Sequence, residues 1–291
     1  MEICGQQLDA GVVERIAGIA RSAPGDSRRA LSRRICEAMG WRAANGRLQE
    51  MSCRKILKHL ESQGIIGLPE VNERFSFQQR SQRHGADILE VPRIACGLKE
   101  LGSVEVVPVS SRYAKASRIW NELMDGYHYL GSGPLCGAQI RYLIRNEREE
   151  YLGGLSFSAA TWRLKVRDEW IGWSERARRA NLGQVVLNSR FLILPTVQVP
   201  HLASHVLSLA ASRLCDDWEA RYGLRPMLIE TFVDGTRYKG TCYRAANWIY
   251  TGQTKGRTRN DQNRTMQAPI KDVYVYPLSK RFDWELCHDN A

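Results

Sequence analysis

The chain has 291 residues, with 42 lysines and arginines against 31 aspartates and glutamates and a net charge of +11. That length exceeds the usual single domain and points to two, and the charge suits a polyanionic partner better than a small neutral substrate. The eight cysteines form no C-x-x-C pair and no regular spacing, and no apolar run approaches the roughly 20 residues that cross a bilayer, which argues against a zinc ribbon, a disulfide framework and a membrane protein. The N-terminus lacks a signal-peptide core, so a reducing cytoplasm is the expected setting.

Residues 1–80 read as a winged helix-turn-helix. Leu8, Val12, Ile16 and Ile19 recur at helical spacing before the break at Pro24-Gly25-Asp26. Ser27 is a candidate N-cap for a second helix with Leu31, Ile35 and Met39 on its inner face, closed by Gly40. After a turn at Asn45-Gly46, a third helix buries Leu48, Met51, Leu57 and Leu60 and turns Arg54, Lys55 and Lys58 outward. Residues 64–69 and 75–77 read as short strands of a wing, which would leave the third helix to lie in the major groove of a duplex. The alternative is a small helical oligomerisation module with a solvated basic face. Residues 78–85 are polar and basic and read as a linker.

A second domain, residues 89–291, alternates strands and helices. Strands are expected at 104–109, at 138–145 and 151–158 as a hairpin, at 184–194, from Met227, and last near 248–250; helices are expected at 112–126 and from Pro200 to Tyr222. This order implies an α+β domain with a mixed sheet. Its richest stretch is 229–257. There an apolar strand delivers Glu230 and Asp234 to its carboxyl end, then runs into Lys239, Arg244, Lys255, Arg257 and Arg259 interleaved with Tyr238, Tyr243, Trp248 and Tyr250. Such a mixture suits phosphates and the faces of unstacked bases.

Five ordered motifs carry a resemblance. HYLG at 128–131, RDEWIGW at 167–173, NSRFLILP at 188–195, HLASHVLS at 201–208 and ETFVDGTRYKGTCYRAANWIYTGQTKGR at 230–257 together resemble the family of the Druantia anti-phage protein DruA, also found with mobile elements. The resemblance implies DNA-directed work in phage defence or transposition, and a domain similar to the GNAT acyltransferase fold. In acyl-CoA-binding members of that fold a glycine-rich turn and a helix N-terminus hold the pyrophosphate. The corresponding stretch here, VQVPHLASHVLS, has no glycine, so acetyl-CoA is expected to be disfavoured.

Several side chains are candidates for chemistry. His201 and His205, four apart, could share a helix face as metal ligands with Glu230, and Glu230, Asp234, Asp168, His128 and His205 could form a catalytic set holding Mg²⁺ or another divalent metal for phosphodiester cleavage. Each has a structural alternative: Asp168 pairs with Arg167, Glu230 bonds to Arg244, Asp234 makes a turn with Gly235, His201 caps the helix. Cys242 reads as a buried thiol rather than a nucleophile, since no base accompanies it. The nucleic-acid contacts expected are Arg54, Lys55, Lys58, Arg167, Arg190, Lys239, Arg244, Trp248, Lys255, Arg257 and Arg259; a buried Arg190 would require a carboxylate or phosphate partner.

Three functions compete on these grounds. The first is a nucleic-acid-binding component of an anti-phage or transposon-type system, acting on DNA or RNA beside partner proteins. The others are a metal-dependent DNA nuclease or strand-processing enzyme and an acyl-CoA-dependent modifier of nucleic acid.

Overall fold

The computed structural model describes residues 2–42, 46–69, 91–110, 114–135, 137–256 and 269–288. The chain divides into two compact units, Met1–Ala86 and Asp87–Ala291.

The first unit opens with a short hairpin, β1 (Glu2–Ile3) paired antiparallel with β2 (Gln6–Gln7), followed by α1 (Ala10–Ser22), α2 (Arg28–Met39) and α3 (Glu50–Ser62). Local signals set the helix ends. Asp9 accepts from Val12 N at 2.8 Å, Ser27 accepts from Ala30 N at 3.1 Å, and Gly40 takes a left-handed φ of 65° that ends α2. Ile16, Leu31, Ile35, Cys36, Cys53, Ile56, Leu57 and Leu60 are fully buried and pack the three helices into one core. Glu50 at the start of α3 lies 3.6 Å from Arg29 and 3.7 Å from Arg33 of α2. The connection from α2 to α3 is longer than a tight helix-turn-helix turn and carries an antiparallel bridge, Arg42 with Leu48. Residues 64–69, expected as a strand, form none: Ile66 is buried in the helical core and Pro69 O accepts from Arg28 Nε at 2.6 Å, so this stretch is anchored to the helices. The expected strand at 75–77 and the linker at 78–85 lie outside the described residues.

The second unit is α+β. It contains β3 (Ile94–Ala95), α4 (Leu98–Leu101), β4 (Val104–Pro108), α5 (Lys115–Tyr127), β5 (Gln139–Asn146), β6 (Tyr151–Ala159), α6 (Lys165–Ile171), α7 (Glu175–Asn181), β7 (Val185–Ile193), β8 (Val197–Gln198), α8 (Leu202–Tyr222), β9 (Leu228–Asp234), α9 (Thr241–Ala245), β10 (Ile249–Gln253), β11 (Lys271–Pro277) and α10 (Phe282–Cys287). The seven-stranded sheet runs β10-β11-β9-β7-β6-β5-β4. Every neighbouring pair is antiparallel except β7 and β9, which are parallel with α8 as their crossover. The sequence reading ends on a strand near 248–250, whereas β11 follows it in the chain and inserts between β10 and β9.

Helices cover both faces of the sheet. Leu143 and Gly154 are cross-strand partners, and a Cβ on Gly154 would come within 3.1 Å of Trp120 and Met124, so α5 lies on their face. Tyr142, adjacent in the strand, points the other way and its hydroxyl donates to Asp217 of α8 at 2.8 Å. The two apolar faces and the helices on them form one continuous core.

Candidate functional site

The sheet opens at the carboxyl end of its one parallel pair. The β7–β9 ladder covers only Val185–Leu228 through Asn188–Thr231. At that point β7 is bulged against β6: Ser156 faces Arg190 and Phe157 faces Asn188, leaving Ser189 as the extra residue. Asn188 Nδ2 holds the bulge by donating to Ser156 O and Arg190 O, both at 3.1 Å. A bulge bends its strand, so β7 turns away from β9 and Arg190 is re-aimed. Tyr243 of α9 bridges the start of the gap. Its hydroxyl donates to Asn188 Oδ1 at 2.9 Å and accepts from Thr231 Oγ1 at 3.4 Å, with its ring against Phe191, Trp248 and Tyr274; burial raises its pKa.

Beyond the gap, HYLG and the DGTRYK turn come together around Tyr129. Its ring stacks on His128 at 5.0 Å, meets Tyr238 at 5.9 Å, and faces the Arg237 guanidinium at 5.1 Å and Lys271 Nζ at 5.9 Å. Asp234 ends β9 as the direct cross-strand partner of Lys271; its carboxylate accepts from Thr236 N at 3.1 Å and Thr236 Oγ1 at 2.6 Å, the first of the influences that lower its pKa. Arg190 donates to Gly131 O at 2.8 Å and Ser189 O at 2.7 Å. The electrostatics are cationic. Burial, then Arg190 and Lys271, push His128 down to about 4, and burial with Arg190 lowers Lys271 against the opposing pull of Asp234. His128 Nδ1 accepts from Leu130 N at 3.2 Å, leaving the neutral ring its proton on Nε2. Carboxyl ends of parallel strands at a switch in strand direction are where open sheets bind ligands.

Glu230 sits elsewhere in chemical terms. It is fully buried, bonded to Arg167 Nη1 at 2.8 Å and to Thr161 N at 2.9 Å. Burial raises its pKa, while Arg167 and the Thr161 amide pull the other way. Arg167, also fully buried, bonds Thr161 O and Asp168 Oδ1, and Trp173 Nε1 donates to the same Asp168 oxygen at 3.1 Å. The Glu230–Arg167 pair is an interior ion pair joining α6 to β9, while Asp168 at its edge is half-buried and lines a surface cavity with Arg163, Lys165, Trp173 and Arg178. The Arg167 guanidinium is therefore corrected from nucleic-acid contact to interior cation.

The expectation of a divalent metal is also corrected. Among the described residues no three His, Cys, Asp or Glu side chains come together as a metal requires. Glu230 and Asp168 are committed to Arg167, Asp234 is turned into its own loop, and His128 is committed beside Tyr129. His201, in a left-handed conformation, and His205 stand at the start of α8 without Glu230 as a partner.

Of the expected nucleic-acid contacts, Lys55, Lys58, Lys239, Arg244 and Lys255 are exposed, and Arg54 is half-buried. Trp248 is buried against Tyr243 and Tyr276, which removes it as a stacking platform; Tyr238 and Tyr250 are half exposed, at 52% and 51%. Arg257 and Arg259 lie outside the described residues. Cys242 is half-buried with its thiol pKa raised by burial. Tyr129, Arg237 and Lys271 were missed by sequence reasoning. The first two stand inside quoted motifs, but Lys271 carries no local signal, because its place opposite Asp234 exists only in the sheet register.

The sequence model of the Druantia protein DruA family matches residues 60–286. No curated protein matches the chain significantly. Among solved structures, it is similar to spermidine N-acetyltransferase from Vibrio cholerae in complex with CoA and spermine, at 11% identity, 61% of this chain, 96% of that chain and a TM-score of 0.37. The dodecameric form of the Vibrio cholerae enzyme gives 10%, 61%, 95% and 0.38, and a nourseothricin acetyltransferase gives 9%, 48%, 66% and 0.30. A likeness this slight says nothing of activity. With a CoA complex among these structures, the expectation that acetyl-CoA is disfavoured no longer stands. Among the described residues no helix is long and apolar enough to cross a membrane.

Proposed function

The chain belongs to the Druantia protein DruA family, and from that premise we propose that it works in anti-phage defence as a nucleic-acid-binding component. The observation that carries this reading is the meeting of two family motifs in a cationic, aromatic cluster at the carboxyl ends of β7 and β9. Tyr238, Lys239, Arg244, Tyr250 and Lys255 extend that cluster along exposed surface. Cations there would neutralise backbone phosphates, and the open tyrosine rings would take unpaired bases. In the first unit, the basic face of α3 with Arg54, Lys55 and Lys58 would supply duplex contacts. The test is fluorescence anisotropy with single-stranded, duplex and branched DNA, and RNA, across a salt series. Reversal of Lys239, Arg244 and Lys255 to glutamate should weaken binding and flatten its salt dependence by about one unit of slope per lost phosphate contact. An unchanged slope contradicts the reading.

A second reading, acyl transfer, is favoured by the parting of β7 and β9. Residues 189–193 and 232–234 have no ladder between them, and such freed strand backbone fits the extended, amide-bearing arm of CoA. Bound there, CoA would supply an acyl thioester, and the Tyr129 cluster would receive the acceptor. Transfer of label from acetyl-CoA to protein, nucleic acid or polyamine is the assay; no transfer to any of them refutes it.

A further inference from the structure

Of the eight tryptophans, Trp162 and Trp284 are exposed, at 45% and 49%. An indole left in water forgoes the largest burial open to any side chain, so each needs a reason. Trp284 is already covered: the His288 ring lies 4.0 Å from it and the Arg281 guanidinium 4.6 Å. Trp162 differs, because the Arg178 guanidinium stands over its ring at 4.7 Å and no other ring or cation meets it among the described residues. Arg178 is itself 3% exposed and is held by Trp162 O at 2.6 Å and by Glu175 at 2.7 Å. The indole therefore rests on a fixed support with its other face open to solvent.

The surroundings of Trp162 are cationic and concave. Its neighbours Arg163 and Arg178 line the α6–α7 cavity with Lys165, Asp168 and Trp173, a space of about 450 Å³ and within the range that takes a small ligand. Arg163 is paired with Glu175 at 2.7 Å and Lys165 with Glu169 at 3.3 Å, and all four side chains are about half exposed or more. Exposed pairs are weakly held, and Glu175 keeps Arg178 when Arg163 turns away, so both cations can exchange toward a phosphate at small cost. β6 ends at Ala159 opposite Val186, near the start of the β7–β9 ladder, which sets Trp162 toward the amino end of β9. The Tyr129 cluster stands at the carboxyl end, with the seven residues of β9, roughly 20 Å, between them.

We propose that Trp162 is a stacking platform for one unpaired base of a single-stranded nucleic acid, with Arg163 and Lys165 beside it for the flanking phosphates. The inference rests on the nucleic-acid reading and adds to it a second contact point at the other end of β9. Stacking requires no unpaired charge: two flat surfaces leave water together, and every base has such a face. The pre-set indole loses little rotamer freedom when it stacks. A lone aromatic face ringed by charged side chains suits a base better than a protein partner, since the centre of a protein interface is depleted of charge.

The experiment is fluorescence anisotropy of the full chain with labelled oligothymidylate and with the same backbone lacking its bases, which separates base contacts from phosphate contacts. Trp162→Leu removes the ring and Trp162→Phe keeps a smaller one; Trp284→Leu, the other exposed tryptophan, is the control, and circular dichroism verifies folding. The expected result is oligothymidylate binding weakened about tenfold by Trp162→Leu, less by Trp162→Phe and not at all by Trp284→Leu, with Trp162→Leu equal to wild type on the abasic strand. Equal binding of oligothymidylate by wild type and Trp162→Leu overturns the platform and leaves nucleic-acid binding intact; an equal loss on both strands overturns it too, since no base is then involved. A loss in Trp162→Leu with none on reversal of Lys239, Arg244 and Lys255 keeps the platform and removes the contact surface at the carboxyl end of β9. No binding of oligothymidylate by the wild type overturns both.

Discussion

Glu230→Gln separates an interior ion pair from a catalytic carboxylate. Both partners of the Glu230–Arg167 bond are fully buried, and the bond spans 63 residues of sequence to tie α6 to the central parallel strand β9. Removing one charge from such a pair costs roughly 3–5 kcal/mol, because the other is left uncompensated in the interior. Arg167 Nη2 remains 2.7 Å from Asp168 Oδ1, which places the loss near the lower end, about 3 kcal/mol. For a unit of this size that corresponds to a melting temperature lower by roughly 6–12 °C. Thermal and urea unfolding, followed by tryptophan fluorescence because Trp173 lies against Arg167, measures it directly. The double variant Arg167→Met with Glu230→Leu should recover part of the loss, since an apolar replacement of both partners leaves no unpaired charge between them. Oligonucleotide affinity per folded molecule should be unaltered in Glu230→Gln. A loss below about 1 kcal/mol, within the range of exposed pairs, or a selective loss of function at wild-type stability, refutes the assignment.

Two further outcomes follow from the site. His128 is held at about 4, below its ordinary 6.5, so the unfolded chain takes up the proton first: its contribution is complete above about pH 6.5 and is lost as pH falls toward 4. A difference of this size amounts to at most about 3 kcal/mol, roughly halved because the ring is partly solvated; melting temperature against pH should fall less steeply over that window in His128→Gln, and identical profiles contradict it. Tyr243→Phe leaves Asn188 Oδ1 without its donor where β7 and β9 part, and should cost about 1–3 kcal/mol in thermal unfolding; a neutral substitution would mean that this bond does not brace the gap.

What could be read in the sequence was local. Ser27 and Gly40 announce the ends of α2 by side-chain chemistry and backbone freedom, and the alternation of residues 138–158 announces a hairpin, because each depends on neighbours a few residues away. The carboxylate at Glu230 was legible as a group in need of a partner, but the candidate was Arg244, fourteen positions on, whereas the partner is Arg167 on an earlier helix. Sheet order decides such pairings. The strand β11 carries a plain β-branched and aromatic pattern, yet its insertion between β9 and β10 sets Lys271 against Asp234, and no spacing in the chain foretells that. Trp248 shows the same limit from the other side: its position in a basic, aromatic loop resembles a base-stacking residue, while tertiary packing draws it into the core and leaves Tyr238 outside.

The central claim, that the carboxyl end of β9 is where nucleic acid is bound, is tested most directly by photocrosslinking. The full chain is irradiated with oligonucleotides in which iodouracil replaces thymine, and the attached peptide is identified by mass spectrometry. Crosslinks to the peptide containing Tyr238, or to Tyr129 beside it, reduced by reversal of Lys239, Arg244 and Lys255 to glutamate, are the predicted result. Oligonucleotide crosslinks confined to Met1–Ala86, or none at all, would contradict it.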